Sequence, residues 1–269
     1  MADRHPFIFP RLFDARGNRV LEVSVLVENI PGMIAKVAKR LAEEGVNILS
    51  GVHHECSEAE SGEKGWWCFF VECYDLVAAE RLKNLIGELE GVKEVLVSEA
   101  NIGRFAIDRH HSLHYIGVDR VVIFMVGWLT SVLRKIYDVW GDDGRRMVYF
   151  EGVYGGRRSY RTISSAFGLK GRELAETALD LWVLLGWVER VRLVKLDPEA
   201  GEVIIRVWGS FEASRPSDRP TCHLLLGAAT GFFSEMMAKP LFGMEVKCQA
   251  RGDEYCEFVM REEHFMIPR

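Results

Sequence analysis

Three cysteines and a glutamate near the C-terminus restrict this chain's fold more than any other feature. Cys222 opens the apolar run TCHLLLGAATGFFSEMM, which reads as a helix over Thr221 to Ala238 with Thr221 as its cap. Glu245 and Cys248 lie three apart in MEVKC, and Cys256 follows across the turn Arg251-Gly252-Asp253-Glu254. A hairpin over Met244 to Met260 therefore carries Cys248 towards Cys256, and the helix start closes the fourth side. A helix N-terminus makes a thiol more acidic, so a thiolate is available there. Three thiolates and one carboxylate suit tetrahedral zinc. Four protein ligands leave no open position, which points to a structural rather than a catalytic ion. His223 is left out because neighbours on a helix point apart.

The six cysteines fall into two groups, Cys56, Cys68 and Cys73, then Cys222, Cys248 and Cys256. That is too sparse for a disulfide scaffold in 269 residues. The length suggests two domains. A net charge of −5 gives no field that would draw the chain to nucleic acid or anionic lipid. The start, MADRHPFIFPRLF, lacks the apolar run of a signal peptide, and Val121 to Leu133 is too short to span a bilayer. The expected location is the cytoplasm.

Along the first half, VLEVSVLVE alternates as a strand and ends at Asn29-Ile30-Pro31-Gly32. Ile34, Val37, Ala38 and Leu41 have helical spacing and Gly45 stops that helix. Strands follow over Val46 to Glu55 and Trp66 to Tyr74, then a helix over Leu76 to Leu89 and a strand over Val92 to Ser98. The order βαββαβ predicts a ferredoxin-like antiparallel sheet with both helices on one face. Residues 1–19 read as an N-terminal extension, 20–103 as the first domain and 104–117 as a solvated linker holding His110, His111 and His114. His53, His54 and Cys56 read as a polar strand end; coordination of an ion, there or by the linker histidines, is the lesser reading.

Residues 118–269 read as an α+β domain of helices followed by hairpins. Val121 to Trp140 is helical, and Met147 to Phe167 is a helix broken by Gly152, Gly155 and Gly156. Leu169 to Gly186 is a further helix. Val188 to Leu196 and Glu202 to Trp208 form the first of two hairpins. The five arginines between Arg145 and Arg161 read as a solvated face, and the aromatics of this half mainly as core.

Two resemblances extend this reading. VENIPGMIAKVAKRLAEEGVNILSG resembles the opening of an ACT domain, the small-molecule sensor of amino-acid metabolism. That resemblance implies an amino-acid ligand at Asn29, Gly32 and Asn47, at an interface between domains; Val27 stands where serine-binding members carry His. The runs GLKGRELAETALDLW, VIIRVWGSFEA, CHLLLGAATGFF and CQARGDEYCEF resemble the 4-vinyl reductase (4VR, hydrocarbon-binding) domain. There the resemblance implies zinc held by Cys222, Glu245, Cys248 and Cys256, pinning a helix to hairpins, and an apolar or aromatic ligand. Leu226 replaces the Tyr of phenol-sensing members.

Together these features predict a small-molecule-sensing regulatory protein rather than an enzyme: a homodimer at least, signalling through a partner protein without touching DNA or membrane. The sequence shows no GxxxxGK[ST] loop, no dinucleotide fingerprint and no recognisable nucleophile–base pair. The alternatives are an enzyme or accessory of tetrapyrrole or aromatic metabolism, or an assembly scaffold.

Overall fold

A computed structural model of the chain describes residues 11–55, 63–72, 79–111, 114–116 and 119–262. Cys56 and Cys73 lie outside the described residues. The chain divides into two compact units, Met1–Val122 and Ile123–Arg269. Among the described residues no helix is long and apolar enough to cross a membrane.

In the first unit, β1 (Leu12–Asp14) precedes β2 (Val20–Glu28), α1 (Met33–Glu43), β3 (Asn47–Glu55), β4 (Lys64–Glu72), α2 (Ala79–Gly87) and β5 (Val92–Glu99). The main sheet has the order β3-β4-β2-β5, every pair antiparallel. This is the βαββαβ arrangement expected from the periodicities. Leu21, Val23, Val25 and Val27 point to one face of β2 and pack with Val37, Leu41, Leu82 and Ile86 of the helices. Alternation then puts Glu22 and Ser24 on the other face. The register adds Cys68 and Phe70 from β4, Val52 and His54 from β3, and Ser98 from β5 to that same face.

The segment read as a linker has structure. β6 (Asn101–Ile102) and β7 (Phe105–Ile107) form a three-stranded sheet with β1 in the order β1-β7-β6, so the supposed N-terminal extension is paired too. Ala15, Val20, Phe70, Ala100 and Ala106 are buried together beside it. The polar run after β7 lies over the second face of the main sheet: His110 Nδ1 meets Ser24 Oγ at 2.8 Å and its Nε2 meets Ser98 Oγ at 2.9 Å. That is why these residues lack periodicity, since they are polar partners of a polar sheet face. A short hairpin, β8 (His114–Ile116) with β9 (Asp119–Val121), closes the unit.

The second unit comprises α3 (Val126–Phe167), α4 (Gly171–Leu184), β10 (Arg190–Asp197), β11 (Glu202–Trp208), α5 (His223–Met237), β12 (Leu241–Lys247) and β13 (Cys256–Glu262). Its antiparallel sheet runs β10-β11-β13-β12. Val203, Ile205, Val207, Phe258 and Met260 point inward to the helices, while Arg206 and Glu257 pair on the other face. The whole protein is thus α+β.

α3 bends at Gly141, whose φ of 56° and ψ of −129° suit no L-residue. Beyond it the helix is unbroken, contrary to the reading of Gly152, Gly155 and Gly156 as interruptions. Gly152 instead meets Gly227 of α5 backbone to backbone, Gly156 meets the backbone of Ala228 and Phe232, and Gly231 meets that of Val153. A Cβ added at Gly156 would lie 2.0 Å from the Ala228 carbonyl oxygen, and one at Gly231 2.0 Å from that of Val153. Glycine here sets the distance between two helices.

Candidate metal centre and neighbouring cavity

The four residues singled out by their spacing come together. Cys222 occupies the N-cap position of α5, Glu245 projects from β12, Cys248 follows that strand and Cys256 begins β13. Their donor atoms all lie within 4.8 Å of one another. The three thiols are fully buried. Cys222 Sγ is 3.6 Å from Cys256 Sγ. That is too far for a disulfide, which needs about 2.05 Å, and close to the roughly 3.8 Å between two sulfurs on a tetrahedral ion with bonds of about 2.3 Å.

The backbone turn between β12 and β13 is fixed by its own hydrogen bonds. Cys248 N donates to Asp253 Oδ2 at 2.8 Å, and Arg251 N to Cys248 O at 2.9 Å. Gln249 N points at Cys256 Sγ at 3.3 Å. Glu245 Oε2 accepts from Cys222 N at 2.9 Å, but Glu245 Oε1 is buried with no partner. A buried carboxylate oxygen without a donor costs about 1–3 kcal/mol, and a cation among these four side chains would satisfy it. The donor set therefore fits a metal ion.

The proton affinities of the four groups are shifted in opposite directions. Hydrogen bonds from the Cys222 and Cys256 thiols hold the Cys248 thiol far below its ordinary range. Contrary to the acidic thiol expected at a helix start, Cys222 is pushed up by donating to Cys248 and Cys256 and by burial. At Cys256 the bond from Cys222 pulls down, but donation to Cys248 and burial push harder and the net shift is upward. Burial raises Glu245 to about 8. Without a cation, the centre keeps one thiolate and holds protons on the other groups.

Sequence reading missed Glu212. It sits on a short turn, Phe211–Ala213, and its two carboxylate oxygens accept from Leu224 N (3.0 Å) and Leu225 N (2.8 Å). Glu212 and Glu245, not Thr221, thus satisfy the start of α5; Thr221 instead places Oγ1 3.6 Å from Cys248 Sγ. A cap ten residues upstream leaves no local signature, because the capping box relies on neighbours. Burial pushes Glu212 up to about 8 from an ordinary 4.5. The folded state therefore favours the protonated form. The stability this contributes is full below pH about 4.5 and is lost as pH rises through about 8. Glu212→Gln should flatten that slope in chemical denaturation curves taken across pH 4–9, and should cost about 1–3 kcal/mol at pH 7 through an orphaned N–H.

A cavity of about 220 Å³ opens beside this helix start, lined in part by Thr130, Leu133, Tyr137, Arg145, Glu212 and His223. Tyr137 Oη and His223 Nε2 are both buried without a hydrogen-bond partner. Their rings meet edge to face, 5.3 Å between centroids. Burial, then the Arg145 charge, lower His223 to about 4, so the imidazole is neutral at pH 7.

Residues 203–262 match the V4R domain. The match contains Cys222, Glu245, Cys248, Cys256 and Glu212. The phenol regulator MopR of Acinetobacter guillouiae is 42% identical over 43 residues, which are 16% of this chain and 8% of MopR. The chain thus spans a small part of that curated relative. The phenol-responsive sensory domain of the transcription activator PoxR is similar at 20% identity and TM-score 0.50, covering 56% of this chain and 80% of that one. That likeness shows that the second unit shares its fold with the sensory domain. For the first unit, the ACT domain from the GTP pyrophosphokinase of Chlorobium tepidum matches 30% of this chain and 99% of its own, with 14% identity and TM-score 0.25. The V4R match does not reach the residues implied in the first unit. Gly32 caps α1 with φ 94° and open space around it, and Asn29 precedes it. Asn47, however, pairs with Glu72, which also pairs with Val20. Asn47 is therefore at the opposite end of the sheet from Asn29, roughly 30 Å away along the strands at about 3.3 Å per strand residue. The three do not form one site within a chain.

Proposed function

We propose that this chain is a small-molecule-sensing regulatory protein whose second unit binds an aromatic compound next to a structural zinc. The observation that carries this reading is the cavity beside α5. Leu133, Pro216 and Pro220 give it apolar surface within a lining that also carries Arg134, Arg145 and Arg219, and two of its buried polar atoms, Tyr137 Oη and His223 Nε2, have no partners. Buried polar groups are normally satisfied, so a ligand bearing a hydroxyl or carboxylate suits them. Zinc at Cys222, Glu245, Cys248 and Cys256 would supply structural bonding alone, tying α5 to the hairpin. The chain's own residues then do the sensing. His223 adjoins Cys222, so a ligand against His223 bears on the helix end that the centre holds.

A homodimer agrees with the surface of α3. Trp128, Val139 and Trp140 before the bend, and Met147, Phe150 and Tyr154 after it, are exposed. Phe242 and Met244 on the edge strand β12 add to this apolar surface. Patches of this kind mark interfaces, and a second copy is the commonest partner. In the first unit we propose an amino-acid ligand between two chains, with Asn29 and Gly32 of one facing Asn47 of the other. Signalling would then pass to a partner protein through a change in assembly.

Calorimetry of the full chain with phenol and with benzoate tests the second-unit reading. At least one should bind at millimolar concentration or below, and His223→Leu with Tyr137→Phe should weaken it tenfold or more. Failure of both probes to bind at millimolar concentration would overturn it, as would unchanged affinity in the double variant.

A further inference from the structure

The sequence holds two histidine pairs with no obvious purpose, His53-His54 and His110-His111. The fold brings one member of each together on the second face of the first unit's sheet, where the rings of His54 and His111 lie 6.2 Å apart. Glu22 rises to the same point from β2 and Cys68 from β4, and Asp108 comes from the run after β7. His111 Nδ1 is 3.1 Å from Asp108 Oδ2 and 3.8 Å from Glu22 Oε1, while its Nε2 is 3.1 Å from Cys68 Sγ. Donor atoms of Glu22, Asp108 and His111 all lie within 4.8 Å of one another. A cavity of about 260 Å³ adjoins them, with His54 and Cys68 in its wall.

The charges here do not balance. Glu22 is 1% exposed and meets Asp108 carboxyl to carboxyl. Its Oε2 accepts from Arg109 N at 2.6 Å, the His110 backbone and the Asp108 side chain also bond to the carboxyl, and its Oε1 lies 3.6 and 3.8 Å from the His110 and His111 ring nitrogens. Arg11 binds the Asp108 side chain and His114, and brings one positive charge against two carboxylates. Two carboxylates in contact away from water share either a proton or a cation.

We propose that Glu22, Asp108 and His111 form a second divalent-metal site, of the zinc class, independent of the cysteine centre. Two carboxylates and an imidazole suit zinc, cobalt or nickel, and nearby Cys68 and His54 favour these over magnesium or calcium. Three protein donors beside a cavity leave a coordination position open to an exchangeable ligand, unlike the closed centre in the second unit.

The test is metal content of the full chain after chelation, re-equilibration with excess Zn(II) and gel filtration. Wild type should retain two zinc ions per chain. Glu22→Gln and His111→Gln should each retain one, and Cys248→Ser should also retain one, in the first unit. Circular dichroism checks that each variant is folded; His111→Gln, at a half-exposed position, keeps the test open if Glu22→Gln does not fold. Wild type retaining one ion that Cys248→Ser loses would overturn this site and leave the cysteine centre standing. Two ions retained by both Glu22→Gln and His111→Gln would overturn it equally.

Discussion

Cys248→Ser in the full chain is expected to abolish zinc retention in the second unit and to lower that unit's melting temperature by roughly 10 °C or more. The cause is geometric. The centre joins the start of α5 to the turn between β12 and β13, at the far end of the helix and strand that separate them in sequence, so metal binding energy becomes folding energy. Losing one of four ligands exposes the others' imbalance: Glu245 Oε1 again lacks a partner, and the remaining thiols compete for protons. A loss of about 4 kcal/mol corresponds to roughly 10 °C in a unit of this size. Adding a strong chelator to wild type should reproduce most of the shift. Calorimetric scans that show no change with either treatment would contradict the structural role.

The second large effect concerns the glycines between α3 and α5. Gly231→Ala should destabilise the second unit by about 3 kcal/mol or more, the upper range for overpacking. Its methyl group would sit 2.0 Å from the Val153 carbonyl oxygen, and both contacting groups are helix backbone with no rotamer to move aside. Gly156→Ala should do the same against Ala228. Gly155→Ala is the internal control. Nothing lies within 4 Å of its Cβ, so the better helix propensity of Ala should stabilise by up to about 1 kcal/mol. Urea denaturation of the three variants separates the cases; similar midpoints for all three would show that the helices are not in such close contact.

The same glycines show where sequence reading reaches its limit. Gly152 and Gly156 look like helix breakers because propensity is a local property, yet what fixes them is another helix seventy residues on. Glu212 escaped for the same reason, as its partners are backbone groups at Leu224 and Leu225. The strand and helix order of the first unit was legible because alternation and 3.6-residue spacing are local and one face of each element is buried. The four-residue cluster was legible because a hairpin and a helix start leave few ways to place Cys222, Glu245, Cys248 and Cys256. The histidines after β7 were not, since their partners, Glu22 on β2 and Cys68 on β4, come from distant strands. Asn29 and Asn47 looked like one site by analogy alone; only the pairing of Asn47 with Glu72 puts them at opposite ends of the sheet.

Native mass spectrometry of the freshly purified full chain tests the central claim, a zinc-pinned receptor for a small molecule, most directly. The expected spectrum is a dimer carrying zinc in each cysteine centre, with Cys248→Ser losing one ion per chain, and an added mass on titration with phenol or benzoate that the His223→Leu, Tyr137→Phe variant does not take up. A metal-free monomer from protein prepared without chelator, with no mass gained from either compound, would contradict it.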